Sequence, residues 1–196
     1  MRKKSIKKAA EAFSAAVDDT LSFIDELEQK TVSAKARSWA YEYAIIRLYR
    51  DFETLMLESI VAGINNDTSV LSSKTGIKFP KHLTDEVCEY IVTGDGYFDF
   101  RGRDGLIKTL KSFLADNHFL VVAVKDTKYK DALERLSALR NYAAHDSPQS
   151  KEAAKRAVDQ DRISSAGSWL KKKERFADIC ENLKKLATAV AAAAKH

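Results

Sequence analysis

From Lys4 to Lys30, apolar residues recur at Ile6, Ala10, Phe13, Val17, Leu21, Ile24 and Leu27, at spacings of three and four. Such spacing keeps them on one side of a helical turn and predicts a long helix with a single buried stripe. A second periodic run follows Thr31-Val32-Ser33 and reaches Ile64 through Trp39, Tyr43, Ile46, Tyr49, Phe52, Met56 and Ile60. Two long helices joined by so short a connection should pack as an antiparallel hairpin. Asn65-Asn66-Asp67 ends the second.

Residues 67–83 carry Ser69, Ser72, Ser73, Gly76 and Pro80 without a helical period, which predicts the largest loop. Thr84 can then cap a short helix, Asp85 and Glu86 suit its first turn, and Gly94 stops it. Residues 94–103 form an aromatic and basic loop, and Asp104 should cap a helix ending near Asn117. The run Phe119-Leu120-Val121-Val122-Ala123-Val124 has the β-branched character of a strand, but a single strand has no partner, so a buried helical or irregular connector is expected. Asp126-Thr127 opens the next helix, whose buried stripe is Tyr129, Ala132, Leu133, Leu136, Leu139 and Ala143, and Asp146-Ser147-Pro148 breaks it.

A short helix should begin between Pro148 and Ser150 and run to about Val158. The final helix is expected to be long and to start at Trp169, with Leu170, Phe176, Ile179, Cys180, Leu183, Leu186, Ala187 and Val190 as its core positions. Its first turns hold Lys171, Lys172, Lys173, Glu174 and Arg175, which belong on the wet side. Helix-forming sequence continues through residues 189–194, leaving Lys195-His196 free to fray.

Composition narrows the fold class. Seven Gly and two Pro in 196 residues remove the usual strand-and-turn punctuation, so the chain is expected to be all-α, a helical bundle forming one domain over residues 1–196. There is no internal repeat and no Rossmann or P-loop glycine pattern. The net charge of +5 and pI of 9.1 permit a polyanionic partner without demanding one. No run approaches the roughly 18 apolar residues of a membrane span. Lys7, Lys8 and Glu11 interrupt the apolar region that a signal peptide needs. Cys88 and Cys180 are far apart and outside any CxxC pair, which favours free buried thiols over a disulfide; a soluble, cytoplasmic protein without membrane association is expected. His82 and His118 stand near no Cys or His at ligand spacing, so neither a metal site nor a cofactor is expected.

The chemistry-bearing stretch is Arg140-Asn141-Tyr142-Ala143-Ala144-His145, near the end of a predicted helix and just before Asp146-Ser147-Pro148. An arginine is a fixed phosphate-binding cation, whereas a histidine titrates near neutral pH and moves a proton. RNA supplies its own nucleophile, the 2′-hydroxyl, so an RNase of this kind needs only proton transfer and charge stabilisation at phosphorus. DNA lacks that nucleophile. Five helical positions turn through about 140° net, so Arg140 and His145 diverge on an unbroken helix, while Asn141 and His145 share a face. Either the helix ends between Arg and His, or a two-fold dimer brings both copies to one cleft. The spacing permits both.

In this setting the residues resemble the HEPN family, marked by an Arg, usually followed by a polar residue such as Asn, and then a His after four to six residues. The long helix from Trp169 also looks like the RiboL-PSP-like branch. The resemblance implies a commonly dimeric helical bundle and a metal-independent endoribonuclease of toxin or antiviral-defence type, leaving a 2′,3′-cyclic phosphate. Arg140 and His145 would be catalytic, with Asn141 the polar neighbour that positions them. RNA, a second copy of the chain, and an antitoxin or other defence-system protein are the implied partners. Other members have lost catalysis, so the alternative is a dimerisation module that binds a nucleotide, RNA or protein.

Each candidate also has an ordinary structural role. His145 can serve a helix C-terminus, Arg140 a surface ion pair with Asp146 or Glu134, and Asn141 a helix-end hydrogen bond. Arg101 and Arg103, beside Phe98 and Phe100, can hold phosphate and stack bases, or the aromatics can simply anchor the loop. Lys3, Lys4, Lys7 and Lys8, and Lys171 with Lys172 and Lys173, can track an RNA backbone or form solvated faces. Trp39 and Trp169 belong to the core or to a subunit interface.

Overall fold

The computed structural model describes residues 4–94 and 96–194. Lys3 of the N-terminal basic run, Asp95 of the aromatic loop and the terminal Lys195-His196 lie outside the described residues. The fold is all-helical, with no strand among the described residues. In chain order the helices are α1 (Ile6–Glu28), α2 (Ala34–Asn66), α3 (Ser69–Thr75), α4 (Asp85–Thr93) and α5 (Gly102–Phe113). They continue with α6 (Phe119–Lys125), α7 (Lys130–His145), α8 (Pro148–Ala157), α9 (Ala166–Leu170) and α10 (Arg175–Ala193), and a 3-10 turn over Thr127–Tyr129 leads into α7.

Local chemistry sets many of these boundaries. Ser5, Ser33 and Thr84 accept from the backbone N–H groups of Lys8, Ala36 and Val87, which satisfies donors that the first turns of α1, α2 and α4 leave unpaired. α1 and α2 form the expected hairpin, and α10 packs along α1. Side chains from all ten helices meet in one hydrophobic core. Its centre is the inward face of α2, where Leu48, Tyr49, Phe52, Leu55, Met56 and Ile60 are fully buried. Phe13 of α1 meets Phe52 edge-to-face at 5.7 Å between ring centres.

Several boundaries depart from the expectations. The loop over residues 67–83 contains α3, held through buried Leu71 and ended by Gly76 in the left-handed region. α5 begins at Gly102, with Asp104 inside its first turn rather than capping it, and stops at Phe113. The apolar run at Phe119, in contrast, is the buried helical connector expected there, a short helix burying Leu120, Val121 and Val124. Trp39, Tyr43 and Ile46 fall outside the core, because the N-terminal half of α2 turns Tyr41, Ala44 and Ile45 inward instead.

The single long final helix is two. Gly167 brings α9 so close to α2 that an added Cβ would stand 1.9 Å from the Ser38 carbonyl oxygen, while the Gly167 N–H donates to Glu42 Oε1. The chain then reverses through Glu174, at φ 66°, before α10 begins. Trp169 is buried in this corner, with the Arg175 guanidinium over its ring. Cys88 and Cys180 are buried and free. No helix among the described residues is long and apolar enough to cross a membrane.

Candidate functional site

α7 carries Lys130, Glu134, Ser137, Ala138, Asn141 and His145 along one face. After His145 the backbone enters the left-handed region at Asp146, and a Ser147–Ser150 capping box with Pro148 in the first turn starts α8. This turn lays α8 back along α7. Between them, and closed on a third side by residues 99–102, lies a cleft of about 810 Å³. Arg140, Asn141 and His145 all line it, together with Asp99, Arg101, Lys130 and Arg156.

The helix is unbroken through His145, so the pair reaches one cleft without the helix end that the angular mismatch suggested. Arg140 enters over the shoulder facing α2, where its guanidinium lies 4.4 Å from the centre of the Tyr49 ring and donates to Asn141 Oδ1 at 2.8 Å. Asn141 therefore orients Arg140 directly. His145, the last residue of α7, is exposed at the α8 side.

The surroundings of Arg140 are acidic but contain no ion pair to it. Tyr49, buried beneath it, approaches Asp99 Oδ1 and the Phe100 carbonyl oxygen, each at 2.8 Å. Glu53 lies one turn further along α2. Burial, reinforced by the Asp99 charge, pushes the Glu53 carboxyl up to about 7, against the pull of Arg140 and of the Tyr49 hydroxyl. Burial likewise pushes the Tyr49 hydroxyl upward, helped by its bond to Asp99.

Among the described residues, Arg101, Lys130, Arg140 and Arg156 have no carboxylate within ion-pairing distance, whereas Arg47, Lys111, Lys155 and Lys184 each have one. Of the two acids in the cleft, Glu134 accepts from the Arg103 backbone N–H and Asp99 meets Tyr49. Neither acid is ion-paired, but the four cations Arg101, Lys130, Arg140 and Arg156 outnumber them, so the net charge of the cleft lining is positive. A phosphodiester chain suits it.

The other candidates go elsewhere. Arg103 turns away from the cleft and donates to the carbonyls of Val124 and Lys125, closing the end of α6. Lys171 donates to the Ala34 carbonyl and to Ser38 Oγ, tying α9 to the start of α2. Lys4 pairs with Glu58 and Glu89 and is part of the packing of α4. His82 binds the Asn65 carbonyl, and His118 accepts from the Leu120 N–H and stacks on Phe119. No group of three or more His, Cys, Asp or Glu among the described residues is arranged to hold a metal ion.

Lys130 and Arg156 were legible only in part. Lys130 shares the helical face of Asn141 and His145, a period readable in the chain, but Arg156 joins them through the α7–α8 turn. Tyr49, Glu53 and Asp99 gave no signal, since no local pattern links them to residue 140. Comparison with protein-family models, with curated proteins and with solved structures finds no match to this chain.

Proposed function

We propose that the protein is a metal-independent endoribonuclease of the HEPN type, acting in a toxin or antiviral-defence setting. The observation that carries this reading is the convergence of Arg140 and His145 on one cleft rimmed by the unpaired cations Arg101, Lys130 and Arg156. Arg140 would hold the non-bridging oxygens of the scissile phosphate, with Asn141 fixing its guanidinium plane. The 2′-hydroxyl loses its proton and its oxygen bonds to phosphorus. The bond to the 5′-oxygen breaks, that oxygen takes up a proton, and the products are a 2′,3′-cyclic phosphate and a 5′-hydroxyl.

His145 serves one of the two proton transfers. The second transfer is met by the other copy's His145 in a homodimer, or by water. A dimer has a suitable face: Trp39, Tyr43 and Ile46 form a stripe along α2, 60%, 56% and 37% exposed, and Phe23 of α1 joins it edge-to-face with Tyr43. That same stripe favours the second reading, a non-catalytic dimerisation module that binds a nucleotide, RNA or a protein partner such as an antitoxin.

Incubation of purified protein with RNA in EDTA separates them. Cleavage lost in both His145→Ala and Arg140→Ala is expected, by about 10²-fold or more. Undiminished cleavage by His145→Ala rejects the catalytic reading.

A further inference from the structure

The cations of the cleft stand in a row. Arg140 and His145 belong to the last turns of α7 and Lys130 is its first residue, so the helical rise alone sets Lys130 about 22 Å from His145 along the axis. All three line one cleft. Between these ends residues 99–102 run beside α7: Asp99 meets Tyr49, on whose ring Arg140 rests, whereas the Gly102 N–H donates to Ser137 Oγ and the Arg103 N–H to Glu134 Oε1. Arg101, one residue before that anchor, therefore stands near the middle of the row. α8 returns along α7 from the turn after His145, and its end is fixed where Arg135 Nε donates to the Ala157 carbonyl oxygen. Arg156, next to that contact, joins Lys130 at the far end.

The far end is left open to a ligand. Lys130 and Arg156 are exposed and have no ion pair among the described residues, although their neighbours Arg135 and Lys155 pair with Asp131 and Glu152. Successive phosphates of one strand lie about 3.4 Å apart along a stacked helix, and roughly twice that when the strand is extended. A row of about 22 Å therefore suits an extended strand whose third or fourth phosphate beyond the scissile one reaches Lys130 and Arg156.

We infer that Lys130 and Arg156 form a distal phosphate subsite, so that the substrate is an RNA strand with at least three further phosphates on one side of the scissile one, rather than a dinucleotide or trinucleotide. This deepens the ribonuclease reading and rests on it. The distal pair is too far away to touch the reacting phosphate, but by holding the strand's far phosphate it sets which bond lies at Arg140 and His145.

The test uses 2′-O-methylated strands that carry one ribonucleotide, so that each can be cut at a single bond, lengthened a nucleotide at a time on the 5′ or the 3′ side. On one side kcat/KM in EDTA should rise about tenfold as the third and fourth phosphates are added, as one charge-assisted contact allows, and then level off. An uncharged methylphosphonate at that position should cancel the rise. In the double variant Lys130→Ala plus Arg156→Ala the rise should shrink to within about twofold. An equal rise in the double variant, or a small even gain with every nucleotide on both sides, overturns the proposal. Fully 2′-O-methylated, uncleavable strands of two to eight nucleotides give a second readout by fluorescence anisotropy: affinity should step up at the same length in wild type and not in the double variant. If that step is present but no RNA is cut, the ribonuclease reading fails while the distal subsite stands. Cleavage with no dependence on length refutes the subsite and leaves the ribonuclease reading intact, and absence of both cleavage and step rejects both.

Discussion

The guanidinium of Arg140 lies 4.4 Å from the centre of the Tyr49 ring, and that ring stacks on Phe100 at 4.9 Å. Tyr49 is fully buried in the centre of α2, so the cleft's central cation rests on the hydrophobic core itself. A cation over an aromatic face gains about 0.5–2 kcal/mol, and a planar guanidinium is well suited to such a seat. Tyr49→Leu should therefore lower RNA cleavage by roughly 3- to 30-fold. Tyr49→Phe keeps the ring and should stay within about threefold of wild type, yet lose about 1–2 kcal/mol of stability with the hydroxyl's bonds to Asp99 and Phe100. Single-turnover cleavage and urea unfolding of both variants distinguish seat from hydroxyl.

Salt dependence should sort the cations by where their side chains go. Arg156 and Lys130 are exposed at the cleft without a paired carboxylate among the described residues. Each contact with a single-stranded phosphate contributes about 0.7 to the slope of log K against log salt, so Arg156→Ala and Lys130→Ala should each flatten the slope by roughly that amount. Arg103→Ala and Lys171→Ala should leave the slope unchanged, since those side chains hold backbone carbonyls and Ser38. Anisotropy titrations of the uncleavable RNA at several salt concentrations measure all four.

These cations also show how far the chain could be read before it was folded. The helix class, the α1–α2 hairpin and the stop after His145 follow from period, caps and the Asp146-Ser147-Pro148 break, which are local properties. Arg140, Asn141 and His145 were legible because their spacing lies within one helix. Tyr43 and Ile46 lie on the predicted apolar stripe yet are exposed, because an apolar period marks a face without saying whether anything covers it. The break between α9 and α10 depends on Gly167 meeting Ser38, over a hundred positions away in sequence, and Arg140 meets the Tyr49 ring only through tertiary packing. No spacing rule spans such distances.

Glu53 should leave a mark on the pH dependence of stability. Its carboxyl is raised in the fold above the ordinary carboxylate value, so the folded state holds the proton more tightly than the unfolded chain does. The contribution is therefore fully present below the unfolded pKa and is lost as pH rises through about 7. Glu53→Gln removes the titration. Relative to wild type, its urea midpoint should rise between pH 5 and pH 8, and an equal midpoint difference at both values would contradict a raised carboxyl.

Gly167→Ala should be among the most damaging small substitutions in the chain. The added methyl would stand 1.9 Å from the Ser38 carbonyl oxygen and 2.6 Å from its carbon, both backbone atoms that no rotamer change can move. Relief requires α9 to withdraw from α2, which also stretches the Gly167 N–H bond to Glu42 and disturbs buried Trp169. Overpacking of this kind costs about 3 kcal/mol or more, and for a domain of this size each kcal/mol lowers Tm by roughly 2–4 °C. Gly76→Ala is the informative control. That residue sits at φ 71° with nothing within 4 Å of the added carbon, so its substitution carries only the left-handed backbone strain, about 1 kcal/mol. Thermal melts should place Gly167→Ala well below Gly76→Ala; the reverse order would mean that α9 can leave α2 at little cost, and that the α9–α2 contact does not hold the C-terminal helices in place.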